Sequence, residues 1–149
     1  MKKESVALSH EELAKACFLL SEQSFNEKSP WSEKQFLESL ESENKAIFLS
    51  FEKKCLVGFI IISVVLDEAE IELVSVSKDF KRKKIGTQLL KEAIENLKQM
   101  KVSSLFLEVR QSNTSALGFY GSFKFEEIGL RKNYYKVPKE DGLILKLTL

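Results

Sequence analysis

Residues 69–90 read AEIELVSVSKDFKRKKIGTQLL, and the fold turns on two features of that stretch. The first is a slip of phase. Ala69, Ile71 and Leu73 alternate against Glu68, Glu70 and Glu72, as a half-buried strand requires, but the next apolar positions are Val74 and Val76. A strand survives such a slip without turning its core face to water only if it carries a bulge, which is expected between Leu73 and Val74. The second feature is the passage from this strand, through the cationic run KRKK at 81–84, into an apolar helix. Ile85, Leu89, Leu90, Ala93, Ile94, Leu97 and Met100 form one stripe at helical spacing, with Lys and Glu opposite.

Beyond that helix, Leu105, Leu107 and Val109 alternate against Phe106, Glu108 and Arg110, a short strand with charge on its second face. A helix joining two strands has to pack on their sheet, which makes those strands parallel neighbours with a ligand position where they splay. Upstream, Ser9 and Glu12 predict a capping box for a helix over 10–24, and Ser32 caps a second, short helix bearing Phe36, Leu37 and Leu40. Ile47, Leu49 and Phe51 alternate, charged residues 52–54 supply a turn, and the β-branched run 56–66 completes a hairpin. Downstream, Asn113 caps a brief helix through Tyr120, and 123–128 and 143–149 read as two final strands. The order is that of a mixed α/β (α+β) fold.

The 149 residues suit a single domain spanning 1–149. With 23 basic against 22 acidic side chains the formal charge is +1, so no overall field draws the chain to nucleic acid, and any basic patch is local. No apolar run approaches the roughly 20 residues of a membrane helix. The start, MKKESVALSHEEL, lacks the apolar stretch of a signal peptide, from which a cytoplasmic protein is expected. Cys17 and Cys55 form no C-x-x-C, sit in apolar patterns and read as buried thiols, so neither a disulfide nor a metal site is expected. His10, the only histidine, reads as a surface residue.

Unpaired N–H groups at the start of the helix from Ile85 make a ready anion site, and Gly86 allows close approach. The three-glycine dinucleotide fingerprint and the P-loop are both absent. From spacing alone, however, KRKK is equally a solvated charge run. Glu108 is by itself an exposed acid, with Arg110 available as an ion-pair partner, or a catalytic one. Tyr120 by itself is a packed aromatic with a wet hydroxyl.

Taken together, the bulged strand, cationic loop, helix and following strand resemble the GNAT acetyltransferases, and within them the ribosomal-protein-alanine N-acetyltransferases of the RimI type. The resemblance is carried by Pro30-Trp31-Ser32-Glu33, Val65-Leu66-Asp67-Glu68-Ala69, Leu107-Glu108-Val109-Arg110 with Ser112-Asn113, Phe119-Tyr120, and Arg131 with Asn133-Tyr134-Tyr135. It implies the GNAT acyltransferase fold, a central, mostly antiparallel twisted sheet splayed between two parallel strands with helices on both faces. It implies acetyl-CoA along Val74, Ser75 and Val76 and the loop Arg82, Lys83, Lys84, Ile85, Gly86 and Thr87, with Asn113 contacting the coenzyme beyond the pantetheine. No metal is implied. Glu108 matches the general base and Tyr120 the general acid.

These roles suit the chemistry. A peptide α-amine with a pKa near ~8 is largely protonated at neutral pH, so a base must take its proton before it attacks a thioester. A backbone N–H near Val76 is placed to stabilise the oxyanion. Trp31, Asp67, Glu68, Asn133, Tyr134 and Tyr135 are expected on the acceptor side, where acids attract a basic peptide and aromatics grip it. The implied acceptor is the N-terminal alanine of a small-subunit ribosomal protein, and the implied enzyme a monomer. A GNAT acting on a polyamine, an amino acid or lysine side chains is the alternative, and a non-catalytic RNA-binding module is disfavoured by the near-neutral charge. Two residues depart from the family pattern, Lys84 and Lys124, which stand at glycine positions; at Lys84 the easy positive-φ geometry of glycine is not expected.

Overall fold

The computed structural model describes residues 7–26 and 28–149, and of residues 81–83 the backbone alone. Two capping boxes start the helices near the beginning. Ser9 accepts from the Glu12 N–H and Glu12 from the Ser9 N–H, opening α1 (His10–Ser24); Ser32 and Gln35 do the same for α2 (Glu33–Leu40). β1 (Lys45–Glu52), β2 (Cys55–Val65) and β3 (Glu68–Val76) follow as an antiparallel meander. A short 3-10 helix (Lys78–Lys83) leads into α3 (Ile85–Gln99), then β4 (Ser104–Arg110), α4 (Thr114–Ser122), β5 (Glu126–Lys136) and β6 (Lys139–Thr148). The strands form one sheet in the order β1-β2-β3-β4-β6-β5, in which β3 and β4 are the parallel pair joined by the α3 crossover. This is the mixed, splayed sheet expected from the sequence.

Both faces of the sheet are covered, and the phase slip in β3 follows from that. Ala69 and Ile71 pack in the cluster with Leu89, Leu90, Ala93 and Leu97 of α3, whereas Leu73 packs in the opposite cluster with Leu13, Cys17 and Leu20 of α1. The register passes from Ile61 opposite Leu73 to Ile62 opposite Ile71, which makes Glu72 the extra residue. The bulge therefore lies one position earlier than the sequence predicts, because Leu73 is not a misplaced core residue but a correctly buried one on the other face. Past it, Val74 and Val76 rejoin the α3 side.

The β3–β4 pairing is short. Glu68, Ala69 and Glu70 face Ser104, Leu105 and Phe106, and beyond that the two strands part. α3 sits tight against the sheet below this opening: a Cβ on Gly58 of β2 would lie 2.8 Å from Ile85 Cγ2 and 3.1 Å from Leu89 Cδ1. Glycine at 58 is thus what lets the start of α3 reach the sheet.

The final hairpin departs most from expectation. β5 begins at Glu126 rather than 123 and runs on to Lys136, and β6 already begins at Lys139, so that all of 129–142 but the turn at 137–138, read above as non-strand, is strand. Four steps along β5, from Arg131 to Tyr135, are matched by two along β6, from Gly142 to Glu140, so β5 bulges around Asn133, whose φ is 54°. Cys17 is buried, and burial pushes its thiol up to about 12, but Cys55, at the tip of the β1–β2 hairpin, is exposed and not the buried thiol expected. Among the described residues no helix is long and apolar enough to cross a membrane.

Candidate active site

Where β3 and β4 part, an open cleft of about 500 Å³ is lined by Val74, Ser75, Val76, Lys84, Gly86, Thr87, Asn113 and Tyr120, together with Phe119 of α4. All of the donor-side residues expected from the sequence converge here except three. Ile85 turns its side chain into the core, leaving only its backbone for a ligand, and the side chains of Arg82 and Lys83 lie outside the described residues. Ser75 is buried and hydroxyl-bonded to Ser24 at the end of α1, which closes one wall.

The floor is the N-terminus of α3. That helix has no acidic residue in its first turn and no side-chain cap, so the first N–H groups keep their unsatisfied positive end toward the cleft. Lys84 occupies the cap position at φ 58°, ψ 31°. The left-handed geometry that its side chain disfavours is nonetheless adopted, so the loop keeps a glycine-like path while carrying a lysine. Lys124 does the same after α4, at φ 76°. At Gly86 a Cβ would come 3.7 Å from Phe119 Cζ and 3.8 Å from Val76 Cγ2, that is, into the space between two cleft residues. A bare backbone there, beside free N–H groups, fits a phosphorylated ligand.

α4 is fixed by Asn113, whose Oδ1 accepts from the Ala116 N–H at 3.0 Å. It presents Tyr120, buried between Phe119 and Phe125 in edge-to-face contacts with centroids 5.1 and 5.3 Å away. Burial pushes the phenol up to about 12. The hydroxyl is therefore protonated across the physiological range.

Glu108 faces the other way. Leu105, Leu107 and Val109 of β4 are buried under α3, so Phe106, Glu108 and Arg110 project from the opposite face. There Glu108 joins a second cavity, about 330 Å³, with Glu68, Glu70, Phe106 and Arg131. Its ion-pair partner is not Arg110, as the sequence suggested, but Arg131, with Nε 2.8 Å from Oε2; Arg110 instead pairs with Glu140 at 3.2 Å. The register gives the reason: Arg131 lies opposite Gly142, which lies opposite Arg110, so Arg131 shares Glu108's face with only a glycine between, and Tyr134 follows in the bulge around Asn133. The Tyr134 phenol lies near enough to Glu108 for the carboxylate, as acceptor and as charge, to raise it above its ordinary value. Arg131 also lies over the Tyr134 ring at 5.3 Å.

Of the expected acceptor-side residues, Glu68 and Tyr134 reach Glu108's surroundings, and Tyr135 meets Tyr134 edge to face with centroids 5.1 Å apart. Asn133 contributes the turn rather than a side chain, its N–H donating to Asp141 Oδ1 at 2.7 Å. Asp67 is occupied in the β2–β3 turn, accepting from the Ser103 hydroxyl at 2.9 Å. Trp31 packs on Phe36 and borders a separate hollow with Glu38, Lys45 and Glu72. Two residues went unassigned in the sequence. Arg131 stands in the R-x-NYY run, but its place opposite Gly142 follows a register shift between Glu127 and Gly129 that no alternation announces. Glu70 reads as a solvated face, yet desolvation first, then Glu108 and Glu72, raise its pKa.

A family model described as the acetyltransferase (GNAT) family matches residues 10–125. The chain belongs to the GNAT acetyltransferases. It is an acetyl-CoA-dependent acyltransferase. Within the GNAT group, the chain is 38% identical over 122 residues to the [ribosomal protein bS18]-alanine N-acetyltransferase of Escherichia coli, covering 80% of this chain and 82% of the relative. It is 36% identical over 124 residues to the enzyme of the same name from Haemophilus ducreyi, with 80% and 84% covered. The crystal structure of the ribosomal-protein-S18-alanine N-acetyltransferase from Escherichia coli superimposes with a TM-score of 0.85 at 33% identity, over 95% of this chain and 90% of that one.

Proposed function

We propose that this GNAT enzyme transfers the acetyl group of acetyl-CoA directly to the N-terminal α-amine of an alanine on the small-subunit ribosomal protein bS18. The observation that carries the acceptor is the likeness, in sequence and structure, to enzymes named for that reaction over four-fifths or more of their length. The site supports it. Acidic Glu68, Glu70 and Glu108, with the aromatic hairpin of Tyr134 and Tyr135, suit a cationic peptide end.

Bound in the α3 cleft, acetyl-CoA supplies an acetyl group activated as a thioester. The N–H groups opening α3 hold the pyrophosphate, and Val74 and Val76 offer backbone on the side left unpaired by the splay, the N–H near Val76 stabilising negative charge developing on the acetyl oxygen. Glu108 takes the proton from the α-ammonium, while Arg131 and Tyr134 hold its carboxylate in place. Tyr120 keeps its proton at neutral pH and gives it to the departing sulfur. Neither thiol has a role as nucleophile: Cys17 is buried and un-ionised, and Cys55 lies at the far hairpin tip.

The reading is tested by thiol release from acetyl-CoA with a basic peptide beginning in alanine, the same peptide blocked at its amine, and a free polyamine. Reaction with the first alone is expected. Reaction with the polyamine alone contradicts the ribosomal-protein acceptor and leaves a GNAT acting on another amine.

A further inference from the structure

We infer that Arg110 and Glu140 form a clamp that positions the Tyr134–Tyr135 hairpin on Glu108 and ties it to the start of α4, setting acceptor recognition without touching the reacting atoms. The inference rests on the reading of Glu108 as the base. Arg110 leaves β4 two residues beyond Glu108, on the same face, and its guanidinium is fully engaged with the far hairpin. Nη1 donates to the Pro138 carbonyl at 3.0 Å and to Glu140 Oε1 at 3.2 Å, Nη2 donates to the Val137 carbonyl at 2.9 Å, and the group lies 4.3 Å over the Tyr135 ring. One side chain thus grips both the turn of the hairpin and one of its tyrosines.

Glu140 carries the connection onward. Its second oxygen accepts from the Ser112 N–H at 2.5 Å, and hydrogen bonds from Ser112, with the neighbouring Arg110, hold its carboxyl below the usual range. Ser112 immediately precedes Asn113, the cap of the helix that carries Tyr120. The Gln111 N–H also donates to the Asp141 carbonyl at 3.1 Å. The start of the donor-side helix and the acceptor-side hairpin are therefore joined through this ion pair and the backbone bond beside it.

The hairpin needs such a device. β5 is an edge strand, exposed along nearly its whole length, so apolar burial cannot fix where its bulge stands. Tyr134 meets Glu108 only if that bulge is held, and Tyr135, edge to face with Tyr134 and lying under the Arg110 guanidinium, transmits the hold. Arg110 and Glu140 are positioning residues in this account.

Steady-state kinetics with an alanine-starting basic peptide and with acetyl-CoA varied in turn test it, on wild type, Arg110→Ala, Glu140→Ala and the double variant. Each single change is expected to raise the peptide KM about tenfold or more while the acetyl-CoA KM stays within about twofold, and the double variant to be no worse than Arg110→Ala. Arg110→Lys keeps the charge but cannot span two carbonyls and a ring, and behaves as the alanine variant does. An unchanged peptide KM, or a loss of kcat with both KM values unchanged, overturns the inference, since that is what fewer folded molecules produce. Should the alanine variants not fold, Glu140→Gln serves in their place: it retains one acceptor oxygen, a smaller rise in peptide KM is expected, and none overturns the inference. Glu108→Gln run alongside separates the two claims. Full turnover in that variant sinks the assignment of the base, whereas lost turnover there with a normal peptide KM in the clamp variants sinks the clamp alone.

Discussion

Arg131 Nε lies 2.8 Å from Glu108 Oε2, so the proposed base is held from β5, across β6, by a residue of the bulged hairpin. The pair is half in water, with the arginine side chain 55% exposed and the glutamate 17%, and its net worth to stability is below about 1 kcal/mol. Its value is orientation. Arg131→Ala should therefore lower kcat about tenfold or more while leaving the melting temperature within a few degrees. Parallel kinetics and calorimetry check this; a large drop in melting temperature with unchanged kcat assigns the pair to folding instead.

Lys84 and Lys124 occupy left-handed backbone at φ 58° and 76°, a conformation costing a residue with a Cβ about 1 kcal/mol or more relative to glycine. Part of that gain is returned through the greater freedom of glycine in the unfolded chain. Lys84→Gly and Lys124→Gly are each expected to stabilise by roughly 0.5 kcal/mol in denaturant unfolding. Only Lys84→Gly should alter acetyl-CoA binding, since Lys84 borders the α3 cleft proposed to hold it and Lys124 does not. Destabilisation by either glycine contradicts the backbone assignment.

Glu70 has its pKa raised, first by desolvation and then by Glu108 and Glu72. The folded protein binds this proton more tightly than the unfolded chain, so the contribution to stability is full below the ordinary carboxylate range and is lost as pH rises through the raised value. Glu70→Gln should then be more stable than wild type at neutral pH, with the gap closing on acidification. Denaturant midpoints across acid to neutral pH read the effect. A gap that widens toward low pH contradicts it.

Much of the fold was legible because burial there is one-sided or periodic. The stripe from Ile85, the two serine caps and the β4 alternation fix α3, α1, α2 and β4 from spacing alone. The bulge was legible in kind and missed in place, since a sheet covered on both faces buries Leu73 as well as Ile71, and hydrophobicity cannot say which face each takes. Residues 129–142 gave no strand signal, because that hairpin is built from arginine–tyrosine stacks and ion pairs rather than alternating apolar residues. For the same reason Glu108 was offered the wrong arginine: Arg110 is its neighbour in sequence, but Arg131 is its neighbour in space.

Gly58 sets the height of α3 on the sheet. A Cβ there meets the stiff Ile85 Cγ2 at 2.8 Å, and a β-branched side chain held in the core has little room to yield. Gly58→Ala should cost about 1–3 kcal/mol and weaken acetyl-CoA binding by tilting the helix start that forms the cleft floor. Thermal unfolding and isothermal titration with acetyl-CoA measure the two effects; a variant as stable as wild type would show that α3 is not seated as tightly as described.

The central claim, direct acetylation of an N-terminal alanine by Glu108-assisted attack, is tested most directly by mapping where the acetyl group lands. A peptide that begins with alanine and also contains lysine is incubated with acetyl-CoA and either wild type or Glu108→Gln, and the product is sequenced by tandem mass spectrometry. The account predicts acetyl on the α-amine alone with wild type, and turnover reduced by about a hundredfold or more with Glu108→Gln. Acetyl on lysine side chains, or undiminished α-amine acetylation by Glu108→Gln, would contradict it.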